Sequence, residues 1–166
     1  TSDITITLVG DADGLSITTG PSDTEANKSL TGPPTVEAQD INGEAVSGID
    51  VTAETGSKNL IGDRTVTTNS SGQAVFDNLS LTDAETNYTL NFSISSTQDN
   101  VNSSVTVESN TFDVTAGNAT DIEIDTQPDN TQAAGQNLTG PPTVQVTDNF
   151  NNGVPSVEVD VEAING

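Results

Sequence analysis

The chain has 166 residues and a formal charge of -22, from 25 acidic residues against only Lys28, Lys58 and Arg64; it holds no Cys, His, Met or Trp. Such a charge gives no electrostatic footprint for DNA or RNA and disfavours anionic membrane surfaces. The missing His and Cys remove serine- and cysteine-triad chemistry and the nitrogen and sulfur ligands of zinc, leaving only oxygen ligands for any metal.

Apolar residues alternate with polar ones along the chain, and no stretch follows the 3.6-residue helical period. Leu15 and Ile17 mark an opening strand, and Gly32-Pro33-Pro34 then breaks the chain. Thr35 to Asp40 reads as a second strand with Val36 and Ala38 inward, ended by a tight turn at Asn42-Gly43. Ile49, Val51 and Ala53 alternate in a third, and Val66 centres a fourth between Arg64 and Thr68. After a turn at Asn69-Ser70-Ser71-Gly72 come Ala74-Val75-Phe76, then Leu79 and Leu81. Tyr88, Leu90, Phe92 and Ile94 give the clearest alternation, read as one strand. A polar loop from Gln98 to Ser103 leads to Val105, Val107, Phe112 and Val114. The total, about seven or eight short strands with regular turn signals, predicts an all-β antiparallel sandwich. No apolar run approaches membrane-spanning length, so no direct membrane insertion is expected of this segment.

An internal repeat sets the organisation. Leu30-Thr31-Gly32-Pro33-Pro34-Thr35-Val36 returns 108 residues later as Leu138-Thr139-Gly140-Pro141-Pro142-Thr143-Val144. Gly10 to Pro21 aligns with Gly117 to Pro128, Asp40 with Asp148, and Val46, Ile49 and Val51 with Val154, Val157 and Val159. A period near 108 residues is the size of an immunoglobulin-type sandwich. Ile6 and Leu8 precede Gly10 much as Phe112 and Val114 precede Gly117. Residues 1–9 therefore read as the last strand of a preceding repeat, 10–116 as a complete repeat and 117–166 as the first half of the next. Half a sandwich cannot bury its core, so the chain is expected to be a window on a longer one, with neighbouring repeats as its partners. The short link at Gly117-Asn118 is expected to limit bending between them.

The spacing of Val36, Asp40, Gly43, Val46, Gly48, Ile49 and Val51, followed by Thr67-Thr68-Asn69-Ser70-Ser71-Gly72-Gln73-Ala74-Val75-Phe76, resembles bacterial Ig-like repeats of the invasin/intimin type. Similar repeats occur in long surface adhesins and archaeal surface proteins. The resemblance implies tandem Ig-like β-sandwiches at the cell surface, mostly stalks that project a distal binding tip. It leaves two roles unseparated: a structural repeat of an extracellular stalk or self-assembling filament, and an adhesive module that binds carbohydrate or a protein through loops. The chain departs from bacterial relatives in its acidity and scarcity of lysine. That composition resembles proteins of extreme halophiles; the alternative is an acidic, calcium-rich surface repeat from an ordinary habitat.

Two kinds of site are visible. Asn-x-Ser/Thr sequons stand at Asn27, Asn69, Asn78, Asn87, Asn91, Asn102, Asn118 and Asn137, eight in all. The composition predicts about four by chance, so the excess marks them as glycosylation candidates. Asn87 and Asn91 alternate with Tyr88, Leu90 and Phe92 and are expected to face solvent. Oxygen-bearing side chains also gather at turns. Asp40 and Asn42 in one repeat, and Asp148 and Asn151 in the next, offer calcium-type ligands or, alternatively, hydrogen bonds that stabilise the turn. A second acidic set, Asp11 and Asp13 at one repeat junction and Asp121 and Glu123 at the other, offers an inter-domain calcium position. No cofactor is required. With 25 carboxylates, a pair spaced for glycoside hydrolysis carries no information, and no catalytic role is expected. Lys28 and Lys58 lie outside the alternating strands, where an isopeptide bond has no buried setting.

Overall fold

The longer strands fall where apolar and polar residues alternate with period 2. The computed structural model describes residues 9–56, 59–131 and 133–162, and every regular element among them is a β-strand. None is a helix long and apolar enough to cross a membrane. The chain divides into two compact units that part between Thr115 and Ala116. Of the segment read as a preceding repeat's last strand, all but Val9 lies outside the described residues, as does Lys58.

The first unit holds β1 (Gly14–Thr19), β2 (Thr24–Glu25), β3 (Thr35–Gln39), β4 (Asp50–Glu54), β5 (Leu60–Ile61) and β6 (Thr65–Thr67). They are followed by β7 (Gln73–Val75), β8 (Ser80–Leu81), β9 (Glu85–Tyr88), β10 (Asn91–Ile94), β11 (Val105–Glu108) and β12 (Phe112–Thr115). One sheet has the order β1-β3-β7 and another β11-β10-β4-β6. A third, β2-β12-β9, joins β2 to β12 in parallel; β5 and β8 form a short ladder, and the remaining pairs are antiparallel.

The inward residues of these sheets meet in one core. Val36 and Ala38 of β3 and Ala74 of β7 come from the first sheet; Val51 and Ala53 of β4 and Phe92 and Ile94 of β10 come from the second. Phe76 and Phe92 pack with ring centroids 5.2 Å apart, and Tyr88 stacks on Phe112 at 5.8 Å. Burying side chains of this size contributes ~1.5–3 kcal/mol each. Leu15, Ile17, Val66, Val105 and Val107 are half-buried against the edge of this core. The second unit has β13 (Asp121–Thr126) paired antiparallel with β14 (Thr143–Thr147).

The run read as one strand from Tyr88 to Ile94 is two. Asn87 sits at φ 61°, and the ladder lapses at Thr89 and Leu90. There the Leu90 N–H donates to the Ser109 hydroxyl at 2.9 Å, a side chain standing in for a ladder carbonyl, while the Ser109 N–H donates to the Leu90 carbonyl at 2.8 Å. The chain thereby passes from the β9–β12 ladder to the β10–β11 ladder without leaving a buried polar group unpaired. The alternation survives the break, which is why the sequence pattern hides it. The two-residue strands β2 and β5 are too short to carry a periodic signal.

Turn chemistry closes the edge of the first sheet. Gly72 has φ +72°, its carbonyl accepts the Ala38 N–H at 2.9 Å, and a Cβ there would lie 2.8 Å from the Ala45 Cβ and 3.0 Å from the Ala38 carbonyl oxygen. Backbone angle and space both demand glycine. Gly72→Ala is expected to cost about 2 kcal/mol, lowering the urea midpoint of unfolding with the m-value unchanged.

Candidate functional site

The most built polar site in each unit is a buried aspartate. Asp40 follows β3 and is 5% exposed; Asp148 follows β14 and is 3% exposed. The Asp40 Oδ1 accepts the N–H groups of Asn42 and Glu44, each at 2.9 Å, and its Oδ2 accepts the N–H of Gly10 at 2.9 Å. In the second unit the Asp148 Oδ1 accepts the N–H groups of Phe150 at 2.8 Å and Asn152 at 3.0 Å. Its Oδ2 accepts the N–H of Gly117 and the Asn152 side-chain amide, both at 2.9 Å. The backbone around them is also shared. The Asp40 N–H donates to the Glu44 carbonyl and the Asp148 N–H to that of Asn152; the Val46 N–H donates to Ala38 and the Val154 N–H to Val146.

The sequence fits this geometry. Gly43 at φ 83° and Asn151 at φ 62° supply the left-handed residue that the turn needs. At Gly10 a Cβ would lie 3.3 Å from the Asp40 Oδ2, so a residue without one allows the close approach. The hydrogen bonds also hold both carboxyls ionised. For Asp40 the N–H groups of Gly10 and Glu44, then Asn42, lower the pKa from 3.8 against the opposing effect of burial. For Asp148 burial pushes the pKa up, but the Asn152 side chain with the N–H groups of Gly117, Phe150 and Asn152 outweighs it and holds the group at about 2.

The residues singled out as calcium ligands are thus placed as follows. Asp40 and Asn42 share a turn, joined by the Asn42 N–H. Asp148 and Asn151 share the equivalent turn, where the Asn151 N–H donates to the Asp148 carbonyl at 3.1 Å. In both, the carboxylate oxygens face N–H donors, whose positive ends compete with a cation for the same lone pairs. Asp11 and Asp121 are exposed, and Asp121 accepts the N–H of its neighbour Ile122 at 2.8 Å. Asp13 accepts hydrogen bonds from the side chains of Asn102 and Ser103, both at 3.1 Å. Among the described residues no three acidic side chains gather as a metal-binding group. Reading the turns alone missed Gly10 and Gly117; the signal was the recurrence of a glycine at the start of each repeat.

The sequons divide by what their amides do. Asn27, Asn118 and Asn137 are exposed, Asn27 in a turn at φ 62°. Asn69 spends its carbonyl oxygen on the N–H groups of Ser71 and Gln73 and is exposed. Asn78 donates to the Asp63 carboxylate at 2.7 Å, Asn102 to Asp13, and Asn87 to the Thr86 hydroxyl at 3.3 Å. Asn91 is half-buried in β10, between Glu54 of β4 and Glu108 of β11, rather than fully solvent-facing: its outward face is flanked by a strand on each side. Lys28 is exposed.

Because Asp40 and Asp148 have lowered pKa values when folded, their stabilisation is full above the ordinary value of 3.8 and fades as pH falls through the lowered one. Asp40→Asn is expected to lower the melting temperature at pH 6 by several degrees. The gap to wild type should narrow as pH is lowered below the ordinary carboxyl value of 3.8, measured by circular dichroism at fixed salt.

No protein-family model, curated protein or solved structure matches the chain.

Proposed function

We propose that the chain is a stretch of tandem Ig-like repeats forming the stalk or filament shaft of an extracellular surface protein, without a catalytic role. The observation that carries this is a recurrence in three dimensions. β1 pairs with β3 through Leu15↔Ala38 and Ile17↔Val36, with an irregularity before Thr19↔Thr35. β13 pairs with β14 through Ile122↔Val146 and Ile124↔Val144, with an irregularity before Thr126↔Thr143. These are the same pairs displaced by one repeat, down to the bulge, and the tie from Gly10 to Asp40 returns as that from Gly117 to Asp148. A unit that fastens its own entry point to its own turn can be strung in series without a partner to fix its start.

The Ig-like assignment is supported by the strand pairings and by Tyr88. β1, β3 and β7 keep to one sheet, β4, β10 and β11 to another, and β2 lies parallel to β12. The Tyr88 hydroxyl donates to the carbonyl of Asp83, five residues upstream, at 2.9 Å, as in the tyrosine corner of such sandwiches. The rival role, loop-mediated binding of carbohydrate, draws on a platform of exposed aromatic rings, whereas Phe76, Tyr88, Phe92 and Phe112 are buried and a single ring, Phe150, is exposed. Glycans on the exposed sequons would add bulk and solubility to a shaft.

Protease shaving of intact cells tests the location and the modification together. Peptides of this chain should be released without lysis, and those containing Asn27 or Asn137 should carry added sugar mass. Peptides that appear only after lysis would refute the surface assignment. The halophilic setting has its own measurement. With a formal charge of -22, self-repulsion is screened as the Debye length falls from about 10 Å at 0.1 M salt to about 3 Å at 1 M. The melting temperature should rise by about 5 °C or more over that range.

A further inference from the structure

The first unit joins its early segment to its late segment twice, and both joins run parallel. Near the entry, Ala12 bridges Val101 in parallel. The Ala12 N–H donates to the Asn100 carbonyl at 2.7 Å, and the Asn102 N–H donates to the Ala12 carbonyl at 2.8 Å. From there β1 runs beside β11. Near the exit, β2 pairs in parallel with β12 through Thr24↔Val114 and Glu25↔Thr115. The Ala26 N–H adds a bond to the Thr115 carbonyl at 2.8 Å.

An aspartate of the early segment braces each join by accepting from the late one. The Asp13 Oδ1 accepts from the Asn102 amide and the Ser103 hydroxyl, both at 3.1 Å. The Asp23 Oδ1 accepts the Asp113 N–H at 2.8 Å, and the Thr115 hydroxyl donates to the Thr24 carbonyl at 3.3 Å. Asp13 was read from the sequence as a calcium position at a repeat junction; its Oδ1 instead meets two donors from the far end of the same unit.

Parallel pairing fixes where the chain enters and leaves. The entry lies beside the start of the run that holds β11 and β12, and the exit lies at that run's end. The unit is therefore entered at one end and left at the other. Tension along the chain draws the early and late segments past one another along their own length. Bonds between segments that slide lengthwise are loaded together, each carrying a share. A pair of strands pulled apart from one end is loaded one bond at a time. β1 and β3 offer that second geometry: Gly14 stands opposite Gln39 at the end where Gly10 is tied to Asp40.

We propose that the first unit is a tension-bearing element, in which the Ala12–Val101 and β2–β12 joins, braced by Asp13 and Asp23, hold it closed when the chain is pulled from both sides. This deepens the shaft reading and rests on it, because a chain strung in series passes load through each unit's entry and exit. Forced unfolding reports the height of the unfolding barrier rather than the equilibrium stability. Resistance from these joins therefore depends on the direction of pull, whereas equilibrium stability has no direction.

The full chain has no cysteine, so two introduced thiols give unique attachment points for an optical trap. Val9, Ile41 and Asn118 are exposed. Val9→Cys with Asn118→Cys loads the first unit from entry to exit; Val9→Cys with Ile41→Cys opens β1 from β3 at its end. At one loading rate the first pair should unfold at several-fold higher force than the second. Asp23→Ala should lower the entry-to-exit force and leave the Val9–Ile41 force unchanged. Equal forces in the two directions would overturn the proposal. So would an Asp23→Ala chain weakened alike in both, which would make the brace a matter of stability alone. Should Asp23→Ala fail to fold, the comparison of directions still decides. Peptides released only after lysis would refute the surface location and leave the force comparison untouched; equal forces would leave the location standing.

Discussion

The Asp40 carboxylate accepts an N–H from Gly10, thirty residues earlier, and two more from the turn that follows β3. Removing it would leave three N–H groups, one at the entry residue and two in the turn, without this acceptor, and an unmet donor beside a buried position costs more than a met one gains. The constraint reaches further than its own turn. It fixes where the chain enters the unit, and hence the start of β1; β1 in turn pairs along β3, whose far side carries β7. An aspartate is suited to this because one charged group serves three donors at once, and the donors keep it charged despite burial.

The core that this frame positions is built from little material. Apolar residues make up 31% of the chain and aromatic residues 3%. The first unit compensates by placing its aromatics where the sheets converge, Phe76 on Phe92 and Tyr88 on Phe112. Polar residues that enter the interior arrive with partners. The Thr68 hydroxyl accepts the Ile49 N–H and donates to the Val46 carbonyl, both at 2.9 Å. Among the described residues no buried side-chain nitrogen or oxygen lacks a partner. The hydroxyls that enter the interior, those of Thr68 and Ser109, are thus spent on backbone groups.

For the proposed role, the economy of each unit matters more than any pocket. The entry residue is tied to the unit's own turn, and one residue, Ala116, lies between the end of β12 and the second tied glycine, Gly117. Recurrence of the tie gives a way to add length in which every unit is anchored by the same few bonds. The acidic surface belongs to the same logic: carboxylates that keep long chains apart also tax the compact state unless salt screens them.

The sequence by itself determined the all-β class, the positions of the main turns, the residues that face inward and the return of Gly10 and Asp40 as Gly117 and Asp148. These are legible because side-chain alternation and turn residues act within a few positions along the chain, and because a repeat prints its geometry twice. The Asp40 turn was visible as a cluster of oxygen-bearing residues, but its use was not: whether a carboxylate meets a cation or backbone N–H groups depends on Gly10, which the fold brings to it from afar. The switch from β9 to β10 was hidden for a related reason, since Ser109 replaces a ladder carbonyl from a distant strand without disturbing the alternation. Burial of Val36 and exposure of Val144 show the limit most clearly. Identical residues in identical registers differ only in whether a further strand lies against them, and that is decided by tertiary pairing and by nothing local to either valine.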